Sequence, residues 1–203
     1  MTLFKSLAVV GPGLIGSSIL RRAREDRGIA QTLIAADSNA AVLDRVRELG
    51  LADIVTADLA EAAKADCVVL CVPVGAVEAV ALEMLPYMKQ GAILTDVASV
   101  RGQLGPRIST ALPAGVSYVP AHPMAGTEHS GPDAGFATLF EDRWCLLIPP
   151  ANTDTSAIHK IEQLWKQCGA RTRVLEDAYH DQVCAIVSHL PHLLAFTICD
   201  TAD

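Results

Sequence analysis

Aromatic residues make up only 4% of this 203-residue chain, so whatever core it buries has to be aliphatic. Positive charge is scarce too: 16 Lys and Arg stand against 23 Asp and Glu, a formal net charge of −7. That balance argues against nucleic acid as a general partner and offers nothing to an anionic membrane. No apolar run reaches the roughly 18 residues of a membrane span. "LAVV" at 7–10 could imitate a signal-peptide core, but "GPG" interrupts it and no small-residue cleavage site follows cleanly. The six cysteines contain no C-x-x-C and lie scattered in apolar segments, Cys67 and Cys71 in what reads as a buried strand. They read as reduced thiols of a cytoplasmic protein, with no metal or redox duty. The one basic run, "RRAR" at 21–24, reads as a solvated helix end. What is abundant is apolar sequence, 51% of the chain, enough for a sizeable core and too much for global disorder.

That apolar sequence comes in short blocks. "LAVV", "TLIAAD" (32–37), "DCVVLCVP" (66–73), "GAILTDVAS" (91–99), "GVSYVPAHP" (115–123) and "WCLLIPP" (144–150) read as six buried strands. Amphipathic stretches separate most of them: the segment after the first glycine turn, "NAAVLDRVRELG" with Gly50 as its stop, then 75–86, 100–110 and 154–168. Alternation of this kind predicts a mainly parallel, doubly wound α/β sheet covered on both faces. From 176 the pattern becomes a single long apolar helix. The expected boundary therefore divides 1–175 from 176–203. One apolar helix cannot fold alone, so this segment is expected to start a helical domain, in a fragment of a longer enzyme or in an unusual short form.

Gly11-Pro12-Gly13-Leu14-Ile15-Gly16 follows the first strand and opens the first helix, and Asp37 ends the second strand. G-x-G-x-x-G alone is weak; in this context it is the dinucleotide fingerprint. Gly11 makes the tight turn, Gly13 admits the pyrophosphate and Gly16 lets helix and strand pack closely. The helix N-terminus, at Leu14 and Ile15, supplies N–H groups to the phosphates. Asp37 would accept from the ribose hydroxyls and repel a 2′-phosphate, which favours NAD over NADP, with Ser38 beside it leaving some tolerance. "RRAR" lies a turn or more down the helix and does not rescue NADP.

Ligands of such sheets sit beyond the carboxyl ends of the strands. There "VPVG", with Val72 and Pro73, "DVASVRG", with Ser99, and "HPMAGTEHSG" (122–131) converge. Ser99 reads equally as the cap of the following helix or as a ligand group. His122 ends a strand where a nicotinamide should meet its substrate, and a histidine can take a hydroxyl proton there as hydride leaves the same carbon. Its plain alternative is a backbone-satisfied histidine. His129 reads as an exposed loop residue. In "SHLPH", Ser188 and His192 share a helix face beside His189, and Pro191 kinks that helix. The face either lines a ligand cavity or is satisfied within a helix bundle. A metal held by His122, His189 and His192 lacks supporting carboxylates.

"GPGLIGSS", "DVASVRG", "HPMAGTEHSG" and "HDQVCAIVSHLPHLLA" together resemble the prephenate/arogenate (cyclohexadienyl) dehydrogenases of tyrosine biosynthesis, from residue 5 onward. The resemblance implies NAD(P)-dependent oxidative decarboxylation of a small cyclohexadienol, with His122 as the catalytic histidine. Ser99 matches a serine contacting the hydroxyl region and the nicotinamide, Ser188 and His192 line the substrate pocket, and His189 and Glu128 stand near its mouth. It also implies a homodimer through a helical domain, which supplies an arginine for a substrate carboxylate; Arg101 is a candidate substitute. Two other readings stand beside it. One is another β-hydroxyacid-type Rossmann dehydrogenase, whose helical domain usually supplies a lysine, absent from 176–203. The other is an NAD-binding regulatory domain without catalysis.

Overall fold

The computed structural model describes residues 2–102 and 104–202; the side chains of residues 177, 188, 189, 192, 201 and 202 lie outside that description. Its frame is a six-stranded, all-parallel sheet in the order β3-β2-β1-β4-β5-β6, built from β1 (Phe4–Val10), β2 (Ala30–Ala36), β3 (Ile54–Thr56), β4 (Cys67–Leu70), β5 (Ile93–Asp96) and β6 (Ser117–Tyr118). The order reverses between β1 and β4, the switch point where doubly wound sheets bind their ligands.

The continuous apolar strands follow from burial on both faces. Along β1, Leu7 and Val9 point to one side and Ala8 and Val10 to the other. The first side packs against α1 (Leu14–Glu25) and α6 (Thr155–Gln167) through Ile19, Leu20, Leu164 and Trp165. The second packs against α4 (Val74–Met84) and α5 (Leu104–Ala111) through Val77, Met84 and Ile108. Short α2 (Ala40–Glu48) and α3 (Leu59–Ala62) complete the crossovers. Asn39 caps α2, Asp58 caps α3 and Asp154 caps α6, each accepting from a backbone N–H two residues on. Gly50 ends α2 at φ +62°, as its place in the sequence predicts.

Two expected strands fall elsewhere. The run 115–123 is not one strand: β6 pairs with β5, and then β7 (Ala121–Pro123) pairs antiparallel with β8 (Trp144–Leu147). Pro120 sits at the break. It has no N–H to continue the first ladder, and its carbonyl instead accepts from Ile148 N at 2.9 Å. β8 therefore belongs to a second, three-stranded sheet, β7-β8-β9, completed by β9 (Arg171–Val174). That sheet joins the same core as α1, where Phe140 meets Trp165 edge-on at 5.2 Å.

The "RRAR" run is also not a merely solvated end. Arg21 donates to Pro132 O, Arg22 to Gln167 O, and Arg24 pairs with Asp53 at 2.6 Å. The chain beyond 176 is helical but not one regular helix. It runs as α7 (Asp177–Cys184), a π-helical turn (Ala185–His189) and α8 (Leu190–Ala202). The wider turn lies immediately ahead of Pro191, whose missing N–H and ring are incompatible with an unbroken i→i−4 ladder.

Candidate active site

The glycine turn has the shape its spacing predicts. Gly11 holds φ +80°, and a Cβ there would stand 3.0 Å from the Cys71 backbone. At Gly16 a Cβ would meet Gly11 O at 2.7 Å and a Val9 methyl at 2.8 Å, so this glycine is required by helix–strand contact. At Gly13 a Cβ would meet nothing within 4 Å. Its smallness serves no packing need in the protein and keeps the approach to the α1 N-terminus open. No side chain caps that terminus and no acidic residue stands in its first turn, so its N–H groups and positive potential face the crevice.

Gly11, Gly13, Ile15, Asp37, Val72 and Pro73 line a crevice of about 630 Å³ at the β1/β4 switch. Asp37 Oδ1 accepts from Asn39 N at 2.8 Å, which orients the carboxylate at the end of β2. These residues fit a dinucleotide: an uncapped helix end and open glycine for phosphates, an oriented carboxylate for a ribose. Gly16 is buried behind the turn, and Leu14 packs against the core rather than lining the crevice.

His122 lies at the middle of β7, 7% exposed, and lines a second cavity of about 650 Å³ with Met124, Gly126, Thr127, Glu128 and Phe196. The segment from Gly126 to Phe136 runs from this cavity past the crevice, which its Gly131 and Pro132 also line. It is held on α1 by the Phe136 N–H donating to Ser18 Oγ at 3.1 Å, and by Gly135, where a Cβ would collide with Ser17 Oγ. Asp133, on the same segment, pairs with Arg45 of α2 at 2.6 Å. The stretch "HPMAGTEHSG" thus carries the chain from a buried histidine to the nucleotide crevice. Glu128 and His129 are exposed and 3.3 Å apart.

Sequence reasoning missed the partners of His122. His122 Nδ1 lies 2.9 Å from His180 Nε2, and His180 Nδ1 lies 2.8 Å from Asp181 Oδ1. Cys184 Sγ is 3.4 Å from His180 Nε2 and 3.7 Å from His122 Nδ1. His180 and Cys184 are an i, i+4 pair on α7, a spacing visible in "HDQVC"; that this face meets β7 was not. Asp181 also accepts from Arg101 N at 2.9 Å and Gly102 N at 2.8 Å. Burial acts to raise its pKa, but the donations from Gly102, His180 and Arg101 outweigh it and hold the carboxyl below its usual range. His122, His180 and Cys184 present an N₂S set within 4.8 Å that could hold a soft cation. Its two nitrogens are, however, at hydrogen-bond distance, closer than the roughly 3.4 Å edge that metal–ligand bonds of 2.0–2.3 Å impose on a tetrahedral site.

Two expectations for the loop after β5 are corrected. α5 starts at Leu104, not at 100, so Ser99 stands five residues ahead of the helix and does not cap it. Ser99 is exposed and lines neither of the two cavities among the described residues. Arg101 is no substrate arginine: it is 1% exposed and its guanidinium grips the buried Asp96 carboxylate at 2.7 and 3.1 Å and Ala98 O at 2.5 Å. Tyr118 Oη donates to the same carboxylate at 2.6 Å, and burial pushes its phenol well above the ordinary value. This cluster shapes the loop that Asp181 then straps to α7. Ser188, His189 and His192 lie on the π turn and α8, and their side chains fall outside the described residues.

Fold and crevice together define a dinucleotide-dependent oxidoreductase. Residues 20–174 match the nucleotide-binding domain of prephenate dehydrogenase. The chain belongs to the prephenate dehydrogenase family, whose NAD-dependent oxidative decarboxylation serves tyrosine biosynthesis. It is 43% identical over 199 residues to the cyclohexadienyl dehydrogenase of Zymomonas mobilis, covering 98% of this chain and 67% of that protein. The prephenate dehydrogenase of Aquifex aeolicus, solved with hydroxyphenyl propionate and NAD⁺, superposes with a TM-score of 0.90 at 29% identity, over 97% of this chain and 68% of that one. The arogenate dehydrogenase of Synechocystis gives 0.86 at 28% identity, over 97% and 68%. The chain spans only about half the length of other curated relatives it matches. No helix among the described residues is long and apolar enough to cross a membrane.

Proposed function

We propose that this chain oxidises prephenate, arogenate or both, with His122 as the base. The observation that carries the reading is the position of His122: buried at one end of the segment whose other end lines the nucleotide crevice. NAD, when bound, accepts the hydride. His122 takes the proton of the C4 hydroxyl as hydride leaves that carbon. The carbonyl so formed draws in the electron pair of the carbon–carboxylate bond as carbon dioxide departs. The ring becomes aromatic, and the proton returns from His122 to the oxygen to give the phenol. Aromatisation drives the sequence, so the protein chiefly supplies orientation and a base of suitable strength. Gly11, Gly13 and the α1 N-terminus hold the pyrophosphate and Asp37 the ribose, which favours NAD over NADP. Glu128 stands at the mouth of the cavity that His122 lines, and Ser188, His189 and His192 are assigned to the substrate by the family resemblance.

The domain division falls between 175 and 176. The helices beyond it belong to a helical domain that pairs two copies of the enzyme. Leu193, Leu194, Phe196 and Ile198 support this, standing 54–74% exposed along α8. The reaction and the reduced thiols fit a cytoplasmic enzyme.

His122→Asn tests the base. The variant is expected to bind NAD⁺ with unchanged affinity and lose about 10²- to 10⁴-fold in kcat, the usual contribution of a positioned base. Unchanged turnover would place the base elsewhere, and NAD⁺ binding without turnover in the parent enzyme would favour a regulatory role.

A further inference from the structure

We infer that Asp181 and His180 form a hydrogen-bonded chain that fixes the proton of His122 on Nδ1 and leaves Nε2 as its basic nitrogen. The inference rests on the reading of His122 as the base. His180 and Asp181 are then positioning residues, acting on the substrate only through His122.

The proton inventory runs in one direction. Asp181, ionised and anchored by the backbone N–H groups of Arg101 and Gly102, can only accept. His180 Nδ1, 2.8 Å from that carboxylate, therefore carries a proton. A neutral His180 then presents a lone pair at Nε2. Two groups converge on that lone pair: His122 Nδ1 at 2.9 Å and the Cys184 thiol at 3.4 Å. Burial, and to a lesser degree Asp181, push the Cys184 thiol up, so it keeps its proton and remains a donor. The protonated thiol is able to donate to His180 Nε2 as well, which is compatible with an accepting nitrogen there. His122 Nδ1 must then be an N–H, and the unprotonated nitrogen of its ring is Nε2.

The chain serves the reaction at both stages. Before proton transfer it removes the competing tautomer, in which Nε2 already bears hydrogen and cannot accept the substrate proton. After transfer His122 is an imidazolium, its Nδ1–H still donates to His180, and the Asp181 carboxylate favours the new charge through one intervening ring. No proton has to move along the chain. Four groups bear on the pair: Asp181 and Cys184 from α7, Cys145 of β8, whose sulfur receives the His122 backbone N–H, and Arg101, committed to Asp96.

The test compares His180→Phe and Asp181→Asn with His122→Asn in the intact enzyme, reading kcat, KM, NAD⁺ affinity and the pH profile of kcat. Asp181 is 35% exposed at its side chain, so its variant is informative even if His180→Phe folds poorly. Both positioning variants are expected to lose about 10- to 100-fold in kcat, part of the 10²–10⁴ a general base supplies, with NAD⁺ affinity unchanged. In Asp181→Asn the acid limb of the profile moves to lower pH, because the carboxylate that favours protonated His122 is gone. Asp181→Glu recovers part of kcat. If His122→Asn is inactive while both positioning variants keep kcat within twofold and an unmoved acid limb, the chain is refuted and the base stands. If His122→Asn itself turns over, the underlying reading fails. Loss of NAD⁺ affinity in parallel with kcat, with no shift of the acid limb, would make the role merely structural and would also overturn the inference.

Discussion

Replacing Arg101 by Met should cost the protein stability, not a substrate contact. The guanidinium is 1% exposed and Asp96, its partner, is fully buried. Removing one member of such a pair strands the other charge, which costs about 3–5 kcal/mol. Asp96 keeps two donors, Tyr118 Oη at 2.6 Å and Ala98 N at 2.9 Å, so the loss should fall near about 3 kcal/mol. For a chain of this length that is a fall in Tm of roughly 6–12 °C. The assay is thermal unfolding of Arg101→Met, Asp96→Asn and the double variant. Because the stranded charge is the source of the cost, the double variant should recover part of what Arg101→Met loses. An unchanged Tm with a raised substrate KM would refute the reasoning and return Arg101 to the substrate carboxylate.

The glycine turn separates two roles that its spacing merges. Gly13→Ala should leave Tm within about 1 °C, since no neighbour meets its Cβ, yet weaken NAD⁺ binding at least tenfold by titration. Gly16→Ala should lower stability by about 1–3 kcal/mol in urea unfolding, because Gly11 O and Val9 stand in the way. Asp37→Asn should weaken NAD⁺ more than NADP⁺ and narrow the ratio of their Kd values; an unchanged ratio would free Asp37 from the ribose. Asp66 accepts from Ser6 and pairs with Lys89 at 2.7 Å; burial opposes these contacts, but they hold its carboxyl below the usual range. Its folded pKa is below its unfolded one, so its stabilisation is full above about pH 4 and is lost as pH falls through the folded value. Asp66→Asn should therefore flatten the acid fall of Tm, measured between neutrality and about pH 3.

The parallel sheet was legible because its strands are buried on both faces and so read as unbroken apolar runs, each closed by a turn. β3 and β9 were not: Ile54–Thr56 is three residues at a sheet edge, and Arg171–Val174 alternates cations into solvent. The second sheet was hidden for a different reason. An apolar run states that a strand is buried, not which ladder it joins, and at 115–123 only Pro120 marked the change. In the site, local pattern pointed to the glycines, Asp37 and His122, and the fold sets Gly11, Gly13 and Asp37 along the crevice and His122 at the middle of β7 rather than at a strand end. His180, Asp181 and Cys184 matter through where α7 lands, a tertiary fact. Arg101 was misjudged because a charge written in a loop gives no sign of its 1% exposure; the nearby Asp96 was its only cue.

The most direct test of the account follows NADH and carbon dioxide together as the intact enzyme is given NAD⁺ with prephenate, then with arogenate. The account predicts that with at least one of them both products form in equal amounts, and that both disappear in His122→Asn while NAD⁺ still binds. NADH without carbon dioxide, or neither product with either substrate, would contradict it.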